Sequence, residues 1–135
     1  MVLGKDGGMI EQIQLVFKMG VGGRLGSGTQ FFPWIHVKDM AGIITYAIEN
    51  DNVTGVLNGV APQTATNAEF TKVYTKALKR PGIAIVPGFY LNALFGKERA
   101  KVMLEGQKVI PERTLSLGYN YLYPTLESAC QELAS

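Results

Sequence analysis

Metal ligands and disulfide partners are scarce in this chain: 135 residues contain one cysteine, Cys130, and one histidine, His36. A single thiol cannot close an internal disulfide, which fits a reducing compartment. A zinc site built from His and Cys needs more donors than these two supply. Charged residues make up only 18%, with a formal net charge of +2, and no basic run is longer than Lys79-Arg80. That excludes the clustered basic footprint of a nucleic-acid or acidic-membrane binder. No stretch approaches the roughly 18 apolar residues of a membrane span. The opening residues MVLGKDGGMIEQ have neither a signal-peptide core nor an Arg-rich transit pattern. The expectation is an intracellular chain, placed in the cytoplasm, with no nucleic-acid or membrane partner and no metal.

What the chain does have is a 47% share of hydrophobic residues, enough for the core of one ordinary domain. Val2-Leu3-Gly4 reads as the end of a buried strand. Met9, Ile10, Ile13, Val16 and Phe17 recur at helical spacing, predicting a helix over 8–19 that Gly20 ends. A glycine-rich loop follows. Trp34 to Val37 reads as a strand, Asp39 as an N-cap, and Met40, Ile43, Ile44, Ala47 and Ile48 as one face of a helix to about Glu49. Gly55 to Val60 reads as another strand. Thr66 and Glu69 stand in capping-box spacing ahead of the stripe Phe70, Val73, Tyr74, Ala77 and Leu78, which Arg80-Pro81-Gly82 closes. A strand is expected over 83–86 and a helical pattern over 88–105, broken at Gly96. An extended Val109 to Pro111, a Tyr-rich loop or strand over 115–123 and a helix burying Leu126, Ala129, Cys130 and Leu133 complete the chain. Strands alternating with helices predict the α/β class.

Chemistry concentrates between Gly20 and Asp39, where five glycines, the one Trp and the one His fall within twenty residues. Gly20 to Gly28 offers backbone N–H groups to a phosphate, or forms a turn beside a cleft. It lacks the Gly-Lys-Ser/Thr ending of a P-loop. Phe32, Trp34 and His36 share one strand face by period-two spacing and are the candidate substrate cleft, with core packing as the alternative. His36 is read as structural, as a substrate contact, or as a base oriented by Asp39. Lys108 and Arg113 are candidates for an anion, or for ordinary surface charge. Tyr119, Tyr121 and Tyr123 alternate and are expected to pack together on the last helix. Cys130, on an apolar stripe with no basic neighbour, reads as a buried small hydrophobe. No catalytic residue is assigned.

Several motifs occur in a specific order: Val2-Leu3-Gly4 with Gly7-Gly8, Gly22-Gly23-Arg24-Leu25-Gly26-Ser27-Gly28, and Phe32-Pro33-Trp34-Ile35-His36. Leu57-Asn58-Gly59-Val60-Ala61-Pro62, Leu104-Glu105-Gly106-Gln107-Lys108-Val109-Ile110-Pro111 and Gly118-Tyr119 follow. The order resembles the extended short-chain dehydrogenase/reductases, in their atypical epimerase-family branch with a small C-terminal domain. The resemblance covers nearly the whole chain. It implies the C-terminal portion of a Rossmann-type α/β fold, with the end of the Rossmann and substrate-binding region over 1–80 and a small, mostly helical domain over 81–135.

The family's Gly-rich dinucleotide fingerprint and its catalytic Tyr and Lys, four residues apart, have no counterpart in this sequence. The resemblance therefore implies a fragment, short isoform or truncated gene model of an NADP(H)-dependent oxidoreductase or epimerase-like protein. By the same resemblance Val2, Leu3 and Gly4 contact the nicotinamide through backbone, and NADP(H) is a ligand of full-length relatives rather than of this chain alone. A small-molecule substrate is implied, and a homodimer is left open. The alternative is a non-catalytic interaction module or an inactive isoform.

Overall fold

The computed structural model describes all residues except 21, 82–83, 87–92 and 94–95. Two short parallel pairings organise it. Strand β1 (Val2–Leu3) pairs with β3 (Ile35–His36) in the register Val2–Ile35 and Leu3–His36. Strand β2 (Gly23–Leu25) pairs with β4 (Ala84–Val86). Parallel strands need crossover connections, and here helices supply them. Helix α1 (Gly8–Lys18) lies between β1 and β2, while α2 (Val37–Glu49) and α3 (Asn67–Leu78) separate β3 from β4. Helices α4 (Lys97–Leu104), α5 (Glu112–Ser116) and α6 (Leu126–Ala134) follow. The chain is an α/β structure.

One core joins early and late elements. Ile10 and Phe17 of α1, Phe32 and Trp34 before and at β3, and Phe70 and Tyr74 of α3 are all buried. Their rings interlock: Phe17–Tyr74 centroids lie 5.1 Å apart, Phe32–Phe70 4.5 Å and Phe70–Tyr74 5.4 Å. Against them α6 presents Leu126, Ala129, Cys130 and Leu133, all buried as the spacing predicts. Each fully buried Leu contributes about 1.5–3 kcal/mol of transfer free energy. Helix α3 begins at Thr66, whose Oγ accepts the Glu69 N–H at 3.2 Å. The Glu69 carboxylate accepts from the Thr66 hydroxyl at 3.3 Å rather than reaching the cap backbone, and Thr66 lies in an antiparallel bridge to Phe31.

Several elements depart from the sequence reading. The glycine-rich segment is not all loop, since Gly23–Leu25 is β2. Gly22 allows it: a Cβ there would stand 2.6 Å from the Phe17 ring. Helix α2 starts directly after β3, and its N-cap is His36, whose Nδ1 accepts the Lys38 N–H at 3.1 Å, not Asp39. Ile44 and Ile48, on the apolar face that the spacing marks, are 54% and 77% exposed.

The segment over 55–60 forms no strand. Two of its carbonyls go to side chains: Arg113 donates to Val56, and also to the preceding Thr54, and Tyr121 donates to Val60. The 115–123 stretch opens inside the short helix α5. The expected strand over 83–86 is seen from Ala84, residue 83 lying outside the described residues, and so does most of the expected helix before Gly96.

Asp39 instead closes the middle of the molecule. Its carboxylate is fully buried in the first turn of α2, where the helix dipole favours negative charge. Oδ1 accepts from the Tyr119 hydroxyl at 3.0 Å and the Leu122 N–H at 2.8 Å, and Oδ2 from the Tyr123 N–H at 2.9 Å. Asp39→Asn puts an amide NH2 against a backbone donor and is expected to cost about 3 kcal/mol. Gly42→Ala, whose Cβ would overlap the Tyr119 hydroxyl, is expected to cost about 1–3 kcal/mol. Because both act through the same tyrosine, the double variant should lose less than the sum. Urea midpoints at constant slope measure this, and an unmoved midpoint for Asp39→Asn would refute the clasp.

Candidate functional site

The main candidate is a groove of about 410 Å³ at the carboxyl end of β2. One wall is Leu25, Phe31, Phe32 and Pro33, and the other runs from Lys101 through Gly106 to Val109. Met1, beside the first residue of β1, closes one end. The volume lies in the range of small-molecule sites, which favour the carboxyl ends of parallel strands.

The aromatic wall is held firmly. Phe32 N–H donates to the Ala65 carbonyl at 2.7 Å, and the Phe32 ring stacks on Phe70. Phe31 is 38% exposed, available to a ligand, with the Lys108 ammonium 5.9 Å from its ring centre. The two walls approach closely at Gly106, where a Cβ would overlap the Phe31 carbonyl. Only glycine lets the chain pass there.

Of the three residues read as a cleft row, Phe32 borders the groove. Trp34 and His36 do not, because both are 1% exposed and directed into the core. Trp34 Nε1–H donates to the Gln63 carbonyl at 3.0 Å. The His36 ring stacks on Tyr123 at 4.0 Å, and Nε2 lies 2.8 Å from Glu132 Oε2. Since Nδ1 accepts from the Lys38 N–H, Nε2 carries the proton and donates to Glu132. Lys5 and Lys38 also reach Glu132, at 3.5 and 3.9 Å. The hydrogen bond from His36, with these lysines, holds the Glu132 carboxyl below the usual carboxylate range. His36 thus ties β3 to α6.

Val2, Leu3 and Gly4 lie on β1 and just past it. Val2 is 40% exposed and Leu3 is buried. A Cβ on Gly4 would stand 3.1 Å from Val37. The adjacent Lys5 is engaged by Glu132 and by Ser135 Oγ at 2.9 Å.

The other candidates are occupied by the fold itself. In the glycine-rich segment, the Leu25 N–H donates to Asn67 Oδ1 at 2.7 Å and the Gly28 N–H to the Leu25 carbonyl. Arg113 serves the carbonyls of Thr54 and Val56. Tyr119 and Tyr121 turn toward Asp39 and Val60, away from the last helix where they were expected. Burial first, then Asp39, pushes both hydroxyls up to about 12, the opposite of what a proton-donating catalytic tyrosine needs. Burial likewise raises the Cys130 thiol to about 12 and leaves it inert. Among the described residues no group of His, Cys, Asp and Glu gathers to hold a metal, and no helix is long and apolar enough to cross a membrane.

Among the lining residues, Lys101, Glu105 and Gln107 were not assigned to a cleft from the sequence. The signal for the last two was present, because they sit in the Leu104–Pro111 motif, which nothing in the sequence joins to Phe32.

Comparison with known proteins places this geometry in context. Residues 86–133 match a family described as a domain of unknown function, DUF1731. Epimerase family protein SDR39U1 of Homo sapiens is 52% identical over 134 residues, covering 99% of this chain and 46% of that protein. The chloroplastic SDR39U1 homolog of Arabidopsis thaliana is 43% identical, over 98% of this chain and 38% of its own length. This chain thus spans about half the length, or less, of these relatives. The crystal structure of human SDR39U1 (isoform 2) with NADPH superposes with a TM-score of 0.95 at 53% identity, over 98% of this chain and 45% of that one. A nucleoside-diphosphate sugar epimerase from Corynebacterium glutamicum superposes at 0.72 and 26% identity, over 98% and 24%.

The Glu132 cluster makes a pH prediction. A carboxyl held low in the folded state contributes stability that is present above its ordinary value of 4.5 and is lost as pH falls through the lowered value. Glu132→Gln should therefore cost about 1 kcal/mol at neutral pH and flatten the acid limb of stability. Urea melts between pH 7 and 3 test it, and an acid limb identical to that of the parent chain would reject the assignment.

Proposed function

We propose that this chain, which belongs to the epimerase family, supplies the substrate side of an NADP(H)-dependent oxidoreductase or epimerase-like protein. The observation that carries the reading is the groove at the carboxyl end of β2, small-molecule in size, with Met1 at one end and Val2 next to it. In this reading Phe31 and Phe32 hold the substrate, and residues 1–80 and 81–135 act as two domains contributing one wall each. The backbone at Val2, Leu3 and Gly4 faces the nicotinamide. NADP(H), when bound, supplies the hydride; the residues of this chain orient the substrate and exclude water. Trp34 and His36 support that wall from behind, by anchoring β3 to Gln63 and Glu132. A reducing intracellular compartment suits the buried Cys130 thiol, while the Arabidopsis relative carries a chloroplastic name.

A second reading, a non-catalytic interaction module, draws on the exposed Ile44 and Ile48 of α2 and on Leu15 and Met19 at the end of α1, both 67% exposed. Unpartnered apolar surface of this kind marks a contact face.

NADPH titration separates the two. The 135-residue chain alone should not bind NADPH in the micromolar range, whereas the same chain joined to the remaining length of an SDR39U1 relative should. In the joined protein Phe31→Ala should raise KM roughly tenfold with kcat little changed, the loss of about 1.4 kcal/mol of ring contact. Unchanged KM and kcat would remove the groove from the substrate site. Failure of the joined protein to bind NADPH would favour the interaction module.

A further inference from the structure

The charge around the groove restricts what it can hold. Its apolar surface is supplied by Leu25, Phe31, Phe32, Pro33 and Val109, so the body of any ligand meets aromatic and aliphatic faces. Among the described residues Lys101 is the one side-chain cation lining it, and Glu105 lies on the same wall; the Met1 amine, also at the groove, donates to the Pro33 carbonyl. Lys108 stands over the Phe31 ring from the adjoining side. These three side chains leave one surplus positive charge.

The backbone adds to the restriction. Lys101 lies in the last turn of α4, and Glu105 is its C-cap, so the groove meets the carbonyl end of that helix. A helix C-terminus carries partial negative charge and disfavours anions. Diphosphates are ordinarily held by the reverse arrangement, a helix N-terminus or several convergent cations. In the glycine-rich segment the N–H groups of Leu25 and Gly28 are already taken within the fold.

The geometry points to a flat, apolar carbonyl or alcohol compound with at most one negative charge as the ligand of this groove, and not to a nucleotide-diphosphate sugar. Its ring system lies against Phe31 and Phe32, and its anionic group, where it has one, points to Lys101. This assignment rests on the groove being the substrate site, and it sets the chain apart in specificity from the Corynebacterium glutamicum neighbour, described as a nucleoside-diphosphate sugar epimerase.

Titrations of the isotope-labelled 135-residue chain, followed through the backbone amides of Gly106, Gln107 and Val109, test it with three probes: 2-naphthoate, 2-acetylnaphthalene and UDP-glucose. Both naphthyl compounds should shift these amides, and UDP-glucose should not. Lys101→Glu should weaken 2-naphthoate about tenfold, an energy typical of one charged contact, and leave 2-acetylnaphthalene within about twofold. UDP-glucose shifting these amides more tightly than 2-naphthoate would overturn the ligand class while leaving the groove as a substrate site. No shift from any of the three would overturn the ligand class and the groove reading together. Equal weakening of both naphthyl compounds by Lys101→Glu would remove the charge argument.

Discussion

The buried carboxylate of Asp39 is the point on which the arrangement turns. An ionised group out of contact with water survives only where its oxygens are fully hydrogen-bonded. Here the donors come from the Tyr119 hydroxyl and the backbone of Leu122 and Tyr123, some eighty residues along the chain. The bond set fixes the entry to α2 against the segment that delivers α6. Tyr123, held in this way, stacks on His36, and His36 reaches Glu132 on α6. Two polar clasps thus work in series on one side of the core, and each sets the position of the other.

On the opposite side, the aromatic stack performs the corresponding task without charge. Phe32 lies on Phe70, Phe70 on Tyr74, and Tyr74 against Phe17. Because Phe32 is locked there, the neighbouring Phe31 can remain partly exposed without the segment collapsing into the core. The far wall of the groove then comes within reach because Gly106 has no side chain to meet the Phe31 carbonyl. A rigid aromatic floor and one glycine produce a groove from segments that are seventy residues apart.

Local patterns were legible wherever the information was local. The Thr66 cap and the stripe of α3 follow from spacing alone, as does the α6 face of Leu126, Ala129, Cys130 and Leu133. Reading failed where a side chain found a distant partner. Asp39 has the chemistry of an N-cap, yet the ring of His36 already serves that end of α2, which leaves the carboxylate for the tyrosine segment. The stretch over 55–60 is flanked by turn residues like a strand, but it forms no ladder, and Arg113 and Tyr121 bind the carbonyls of Val56 and Val60. Ile44 and Ile48 obey helical periodicity and still face outward, because periodicity identifies an apolar face and not what covers it.

The site divides in the same way. Composition and motif order determined the α/β class and the resemblance to the epimerase family, and they placed an aromatic at position 32 beside a glycine-rich turn. Those properties depend on residue type and spacing, which a linear string carries in full. That Phe31 and Phe32 face Lys101 and Gly106, while Trp34 and His36 turn inward, was decided only by the tertiary structure. The period-two rule puts all three candidates on one strand face, but the strand at that point is only Ile35–His36. In and beside it, long-range hydrogen bonds fix the segment: the Phe32 N–H to the Ala65 carbonyl, Trp34 Nε1–H to the Gln63 carbonyl, and His36 Nε2–H to Glu132.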